Sequence, residues 1–139
     1  MKIACLDHVN VRTADVEAMA AWYEAVLGLA RGPRPDFPFP GAWLYLGGRA
    51  IVHLIGTKAA PGADPADLRL EHFALEAEGL PAFLDRLAAT GTAYRLGVTP
   101  GEPPVGGIVQ VNIADPDGNH IHVDFREPLP PGVTVPDRD

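Results

Sequence analysis

The chain has 139 residues, 47 % of them hydrophobic and 21 % charged, the balance of one globular domain rather than a fibre, a coiled coil or a disordered polymer. Its net charge of −7 repels phosphate backbones and anionic lipids, which excludes nucleic acid and membrane surfaces as general partners. The single cysteine, Cys5, allows no internal disulfide, and Asp7 comes too early for a secretory apolar stretch, so a cytoplasmic protein is expected.

Ile3 to Arg12 is rich in β-branched and apolar residues and predicts a strand. Thr13 or Asp15 can cap the helix that follows. Val16, Met19, Ala20, Tyr23, Val26 and Leu27 mark its buried face at helical spacing, and Gly28 ends it. Pro33, Pro35, Pro38 and Pro40 then forbid regular structure, giving an extended loop that carries Phe37 and Phe39. Ala42–Leu46 and Ala50–Ile55 predict strands joined at Gly47-Gly48. A Pro-, Gly- and Asp-rich connector spans Gly56 to Asp67.

The pattern then repeats. Leu70–Glu76 predicts a strand, and Leu80, Phe83, Leu84, Leu87 and Ala88 a second amphipathic helix closed near Gly91. Thr92–Leu96 is a strand, Gly97–Gly106 a loop and Gly107–Ala114 a strand. Asp115-Pro116-Asp117-Gly118 is a tight turn into a last strand, Asn119–Phe125. The halves align in frame, with Asp7-His8 on Glu71-His72 and Tyr23 on Leu87. The expectation is an α+β fold for residues 1–139, built from two βαβββ modules over about 1–60 and 66–127, with an exposed Pro-rich tail over 128–139.

Four of the five histidines occupy equivalent places: His8 and His72 in the first strand of each half, His53 and His122 in the last. If the two sheets face each other, these positions converge on one point, and neutral imidazoles suit a divalent Fe, Zn, Ni, Co or Mn ion. The ordinary explanation of one strand histidine is a local hydrogen bond; for four at symmetric places a metal centre becomes an equal alternative. His120 shares the face of His122, but its place after the turn points to solvent. Asp124 shares that face as well, as a ligand or as a hydrogen-bond partner of a ligand imidazole. Asp7 and Glu71 are expected to point away from their neighbouring histidines. Trp43, Tyr45, Phe37 and Phe39 offer surfaces to a flat substrate, with core packing an equal account of Trp43 or Tyr45. Arg95, Lys58 and Arg126 are expected as solvated cations and Cys5 as a small core residue.

The segment Asp115-Pro116-Asp117-Gly118-Asn119-His120-Ile121-His122 resembles the DPDGN-x-I-E signature of the vicinal oxygen chelate superfamily, which includes glyoxalase I, bleomycin- and fosfomycin-resistance proteins, methylmalonyl-CoA epimerase and extradiol dioxygenases. Leu6-Asp7-His8-Val9 is similar to its first ligand motif, the run from Trp22 to Leu29 to its WYxxxLGL helix, and Glu71-His72-Phe73-Ala74 to its third ligand strand. The resemblance implies paired βαβββ modules forming a half-open β-barrel cleft. It further implies a divalent metal, a small-molecule substrate and a homodimer. His8 and His72 fall on family ligands, and His53 falls near a position held by Glu or Gln in some relatives. His122 stands where the signature has glutamate. Gln110 falls where the superfamily's inward polar residues touch ligand.

That glutamate serves as the base in glyoxalase-like isomerases. A metal-bound imidazole has its lone pair committed, so dioxygenase-like oxidation ranks ahead of glyoxalase-like lyase or isomerase activity. The alternative is a non-catalytic drug-binding protein of the bleomycin-resistance type, using Trp43 and Phe39.

Overall fold

Helix α1 (Val16–Leu27) starts where Asp15 offers a carboxylate to the first turn: its side chain accepts from the Ala18 amide at 2.9 Å. Of the two candidate caps, Asp15 is therefore the one used. Gly28 closes the helix in the left-handed conformation, φ 67°, that a residue with Cβ resists. The apolar stripe Met19, Ala20, Tyr23 and Val26 is buried, and α1 lies against strands β3 (Gly41–Leu46) and β4 (Arg49–Gly56). Ala42, Leu44, Val52 and Leu54 supply the sheet side of that core, each full burial contributing about 1.5–3 kcal/mol for the larger side chains.

The computed structural model describes residues 1–59, 62, 70–102 and 106–135, and the chain divides into two compact units, Met1–Ala63 and Asp64–Asp139. In the first, β1 (Val9–Thr13) and β2 (Ala30–Gly32) complete a four-stranded sheet in the order β1-β4-β3-β2. Strand β1 runs parallel to β4, and the other neighbours are antiparallel. In the second, β5 (Phe73–Ala77), α2 (Leu80–Thr90), β6 (Tyr94–Val98), β7 (Val109–Ala114) and β8 (His120–Phe125) form a sheet in the order β5-β8-β7-β6, with β5 parallel to β8. Each unit is thus a βαβββ module on an open sheet. Leu80 and Leu87 of α2 are buried, and the Phe83 ring meets Phe125 at 5.7 Å. Among the described residues no helix is long and apolar enough to cross a membrane.

Three differences from the sequence expectations have physical causes. Strands β1 and β5 begin at Val9 and Phe73, so His8 and His72 precede their strands rather than lie in them. For β5 the ladder opens at the Phe73–Ile121 pair, close to where β8 itself starts at His120 after the turn. For β1, Arg49 reaches back with its side chain, donating to the Leu6 carbonyl at 3.1 Å and to Cys5 Sγ at 3.3 Å. Cys5 is accordingly exposed, not a core residue. Strand β2 gave no signal because Ala30-Arg31-Gly32 has no β-forming composition. It is held instead by its neighbour β3, with Gly32 opposite Trp43 and so close to Tyr45 that a Cβ would lie 2.6 Å from that ring. Part of the predicted connector, residues 60–61 and 63–67, and part of the predicted loop, 103–105, lie outside the described residues.

Candidate metal centre

The turn that launches β8 is locked by a buried carboxylate. Asp115 Oδ1 accepts from the Asp117 and Asn119 amides at 3.1 and 2.9 Å, and Asn119 Nδ2 donates to both of its oxygens. The strand leaves this anchor with Ile121, Val123 and Phe125 buried on one face and His120, His122 and Asp124 on the other. Parallel pairing places Ala74 beside His122, which brings His72, two residues before Ala74, over the same patch. The His72 and His122 rings stack at 3.9 Å, and His120 approaches His72 at 5.5 Å and His122 at 4.7 Å.

One nitrogen from each of His72, His120 and His122 lies within 4.8 Å of the others. Three nitrogens around one cation with bonds of about 2 Å lie roughly 3–3.5 Å apart, so rotations that close the rings by about 1–2 Å would bring them to bonding distance. His120 therefore belongs to the cluster rather than to solvent, with 28 % of its side chain exposed.

Glu71 does not point away from its neighbour. It accepts from His72 Nδ1 with Oε2 and from His120 Nδ1, 2.7 Å away, with Oε1. The two imidazole hydrogen bonds hold its carboxyl down at about 2. With Nδ1 protonated on both rings, each Nε2 faces forward. That of His72 has no protein partner among the described residues, and that of His120 donates to Asn112 Oδ1 at 3.1 Å. Asn112 is fixed in that sense because its Nδ2 donates to the Arg95 and Gln110 carbonyls. This is the carboxylate–imidazole arrangement that orients metal ligands and raises their basicity.

His122 is buried, 8 % exposed, and its Nδ1 accepts from Gln110 Nε2 at 3.2 Å. Burial first, and the neighbouring His72 and His120 second, push its pKa below the usual 6.5, favouring the neutral ring a metal requires. Gln110 thus touches a candidate ligand directly. Asp124, opposite Gln110 on β7, keeps Oδ1 buried and without a hydrogen-bond partner.

The first module repeats the register with different contents. His53 lies opposite Trp43 on β3 and Asn10 on β1, as His122 lies opposite Asn112 and Ala74. His8 stacks on His53 at 3.9 Å and Trp43 covers the other side at 4.0 Å. His8 Nδ1 donates to Asp7 at 2.7 Å, which lowers the Asp7 pKa, so Asp7 also turns toward its neighbour. His53 Nε2 donates to the Ala50 carbonyl at 3.1 Å, and its pKa is lowered by burial and then by His8.

Of the expected substrate contacts, Tyr45 donates its hydroxyl to the Pro33 carbonyl at 2.6 Å and so ties down the Pro-rich loop. Phe39 stacks on Phe37 at 5.1 Å, with the Arg34 guanidinium 5.0 Å from each ring. Phe39 and Lys58 also line an open hollow of about 700 Å³ at the start of α1, whose lining holds no histidine. Arg126 donates to Glu76, while Arg95 is exposed.

A family model described as Glyoxalase/Bleomycin resistance protein/Dioxygenase superfamily matches residues 5–123. The chain belongs to this superfamily. No curated protein matches it. Among solved structures, an integron cassette protein from the mobile metagenome of V. cholerae is 25 % identical with a TM-score of 0.67, covering 91 % of this chain and 98 % of that one. A glyoxylase/bleomycin resistance protein/dioxygenase domain from Frankia sp. EAN1pec gives 0.72 at 18 % identity, covering 89 % and 93 %. A lactoylglutathione lyase from Agrobacterium tumefaciens gives 0.63 at 20 %, covering 91 % and 96 %. The superfamily membership accounts for the two βαβββ modules.

Proposed function

We propose that this protein is a metal-dependent enzyme acting on a small oxygenated organic substrate at the histidine cluster of the second module. The observation that carries the reading is Glu71 bridging Nδ1 of His72 and of His120 beside His122. Three imidazoles oriented by a shared carboxylate, one of them kept neutral by burial, form a donor set that fits Fe, Zn, Ni, Co or Mn. A divalent cation there supplies Lewis acidity to substrate oxygens and, if it is iron, a redox couple for O₂.

The chain's own part is orientation and proton placement. Glu71 keeps the Nδ1 protons, so His72 presents its Nε2 lone pair, and His120 would do so once its Nε2 leaves Asn112 and gives its proton to solvent. Gln110 sets the ring of His122 by donating to its Nδ1. His122 stands at the signature's glutamate position, which removes the family's usual base and favours dioxygenase-like oxidation over glyoxalase-like lyase or isomerase chemistry. His8 and His53, with Asp7 behind His8, are candidate ligands in the first module. The reading includes a homodimer, which sedimentation equilibrium tests.

The deciding measurement is metal content and titration of the purified protein. About one ion per chain is expected, lost in His72→Ala; metal-free protein that takes up no Fe²⁺, Zn²⁺ or Co²⁺ overturns it. A second reading, sequestration of a flat aromatic compound without catalysis, draws on the Trp43–His53–His8 stack. Calorimetry with such a compound, insensitive to a chelator, would support it.

A further inference from the structure

We infer that Asp124 Oδ1 is the acceptor for a hydroxyl group of the bound ligand, so that the site selects a chelating ligand that keeps an O–H on one of its metal-binding oxygens. The inference rests on the metal-dependent reading and adds a ligand class to it. Asp124 follows His120 and His122 on one face of β8, opposite Gln110 and beside Glu76 of β5. Its Oδ1 is sealed from solvent with no hydrogen-bond partner among the described residues.

A carboxylate oxygen in that position is costly, because it has given up water and gained no donor. The flanking side chains do not supply one. Gln110 Nε2 donates to His122, and Glu76 is itself an acceptor, bonded by Arg126. Asp115, at the other end of the same hairpin arm, shows the contrast: its buried carboxylate takes hydrogen bonds on both oxygens from its own turn. Among the described residues none supplies the donor, which leaves that role to a bound ligand. The group that recognises a lone acceptor next to a cluster of metal-binding imidazoles is a hydroxyl on the ligand those imidazoles hold.

The test uses the full chain loaded with Co²⁺ and two probes with the same chelating oxygens, glycolate, which carries the O–H, and methoxyacetate, which has it capped. Visible absorption of the Co²⁺ centre reads binding. Wild type is expected to prefer glycolate by about tenfold, the scale of one charge-assisted hydrogen bond, and Asp124→Val to lose that preference while holding Co²⁺ as tightly. Asp124→Asn, which keeps the shape without the charge, is expected to fall between them.

Metal-free Asp124→Val should melt no lower than wild type, since an unsatisfied buried group has been removed. Equal preference in wild type and Asp124→Val overturns the inference alone, as does a drop in Co²⁺ affinity, which would make Asp124 a ligand. A lowered melting point with both probes weakened equally also overturns it, assigning Asp124 a structural role. Wild type that takes up no Co²⁺ overturns the metal reading, and this inference with it.

Discussion

The two modules share a topology and a register, yet only the second gathers three imidazoles. Where β8 places His120 opposite Ala114, the first module has a register shift between Leu44 and Tyr45. Tyr45 pairs with Ala50 there, and Ile51 is left without a partner on β3. The positions matching Asp124 and Gln110 hold Ile55 and Gly41. The first module therefore keeps a ring stack and loses the polar surround, while the second keeps both. A repeated fold can keep a polar imidazole cluster in one copy and a bare ring stack in the other, the difference residing in a bulge and a few side chains.

Four experiments break or sharpen that contrast. The largest effect is expected from emptying a core: Phe125→Ala in the second module should cost about 3–5 kcal/mol in urea unfolding, and Tyr23→Ala in the first a similar amount, because both side chains are fully buried. A much smaller loss at either would show that module to be loosely packed. Next comes the metal. Glu71→Gln should weaken binding about 10–100-fold in calorimetric titration, the scale of a lost orienting partner. His120→Ile, which copies the first module, should weaken it as well, whereas Asp7→Asn should change it less.

The third experiment is pH. Both His53 and His122 have pKa values pushed below 6.5, so the folded state binds protons less readily than the unfolded chain. Stability is full above pH 6.5 and falls as the pH drops below it, until the folded rings protonate too. Urea midpoints at pH 7.5 and 5.5 should show the loss in metal-free protein, and His122→Gln should reduce it. An unchanged midpoint would contradict the burial argument. The smallest effect concerns caps: Asp15→Ala and Glu127→Ala should each cost about 1 kcal/mol by the same assay.

Much of this was legible in the sequence because it is local. The stripe from Met19 to Val26, the Asp115–Gly118 turn and the paired acid–His dipeptides are all short-range patterns. What escaped was set by pairing across the chain. Glu71 meets His120 only because β5 lies parallel to β8, and that contact turned a residue expected in solvent into a member of the site. Gln110 reaches His122, and Asp124 loses its donors, only once the β7–β8 register is fixed. Strand β2 exists by docking on β3, and the slipped register at Tyr45 has no sequence mark that alternation would reveal.

The cap on α2 has a practical consequence. That helix has no side-chain cap of its own at Gly79; Glu127, just beyond β8, accepts from the Gly79 amide and from the Leu80 amide at 2.9 Å. An affinity tag or fluorescent fusion joined straight after Phe125 would strip the helix of its anion and fray its first turn, so any such graft belongs downstream of residue 127.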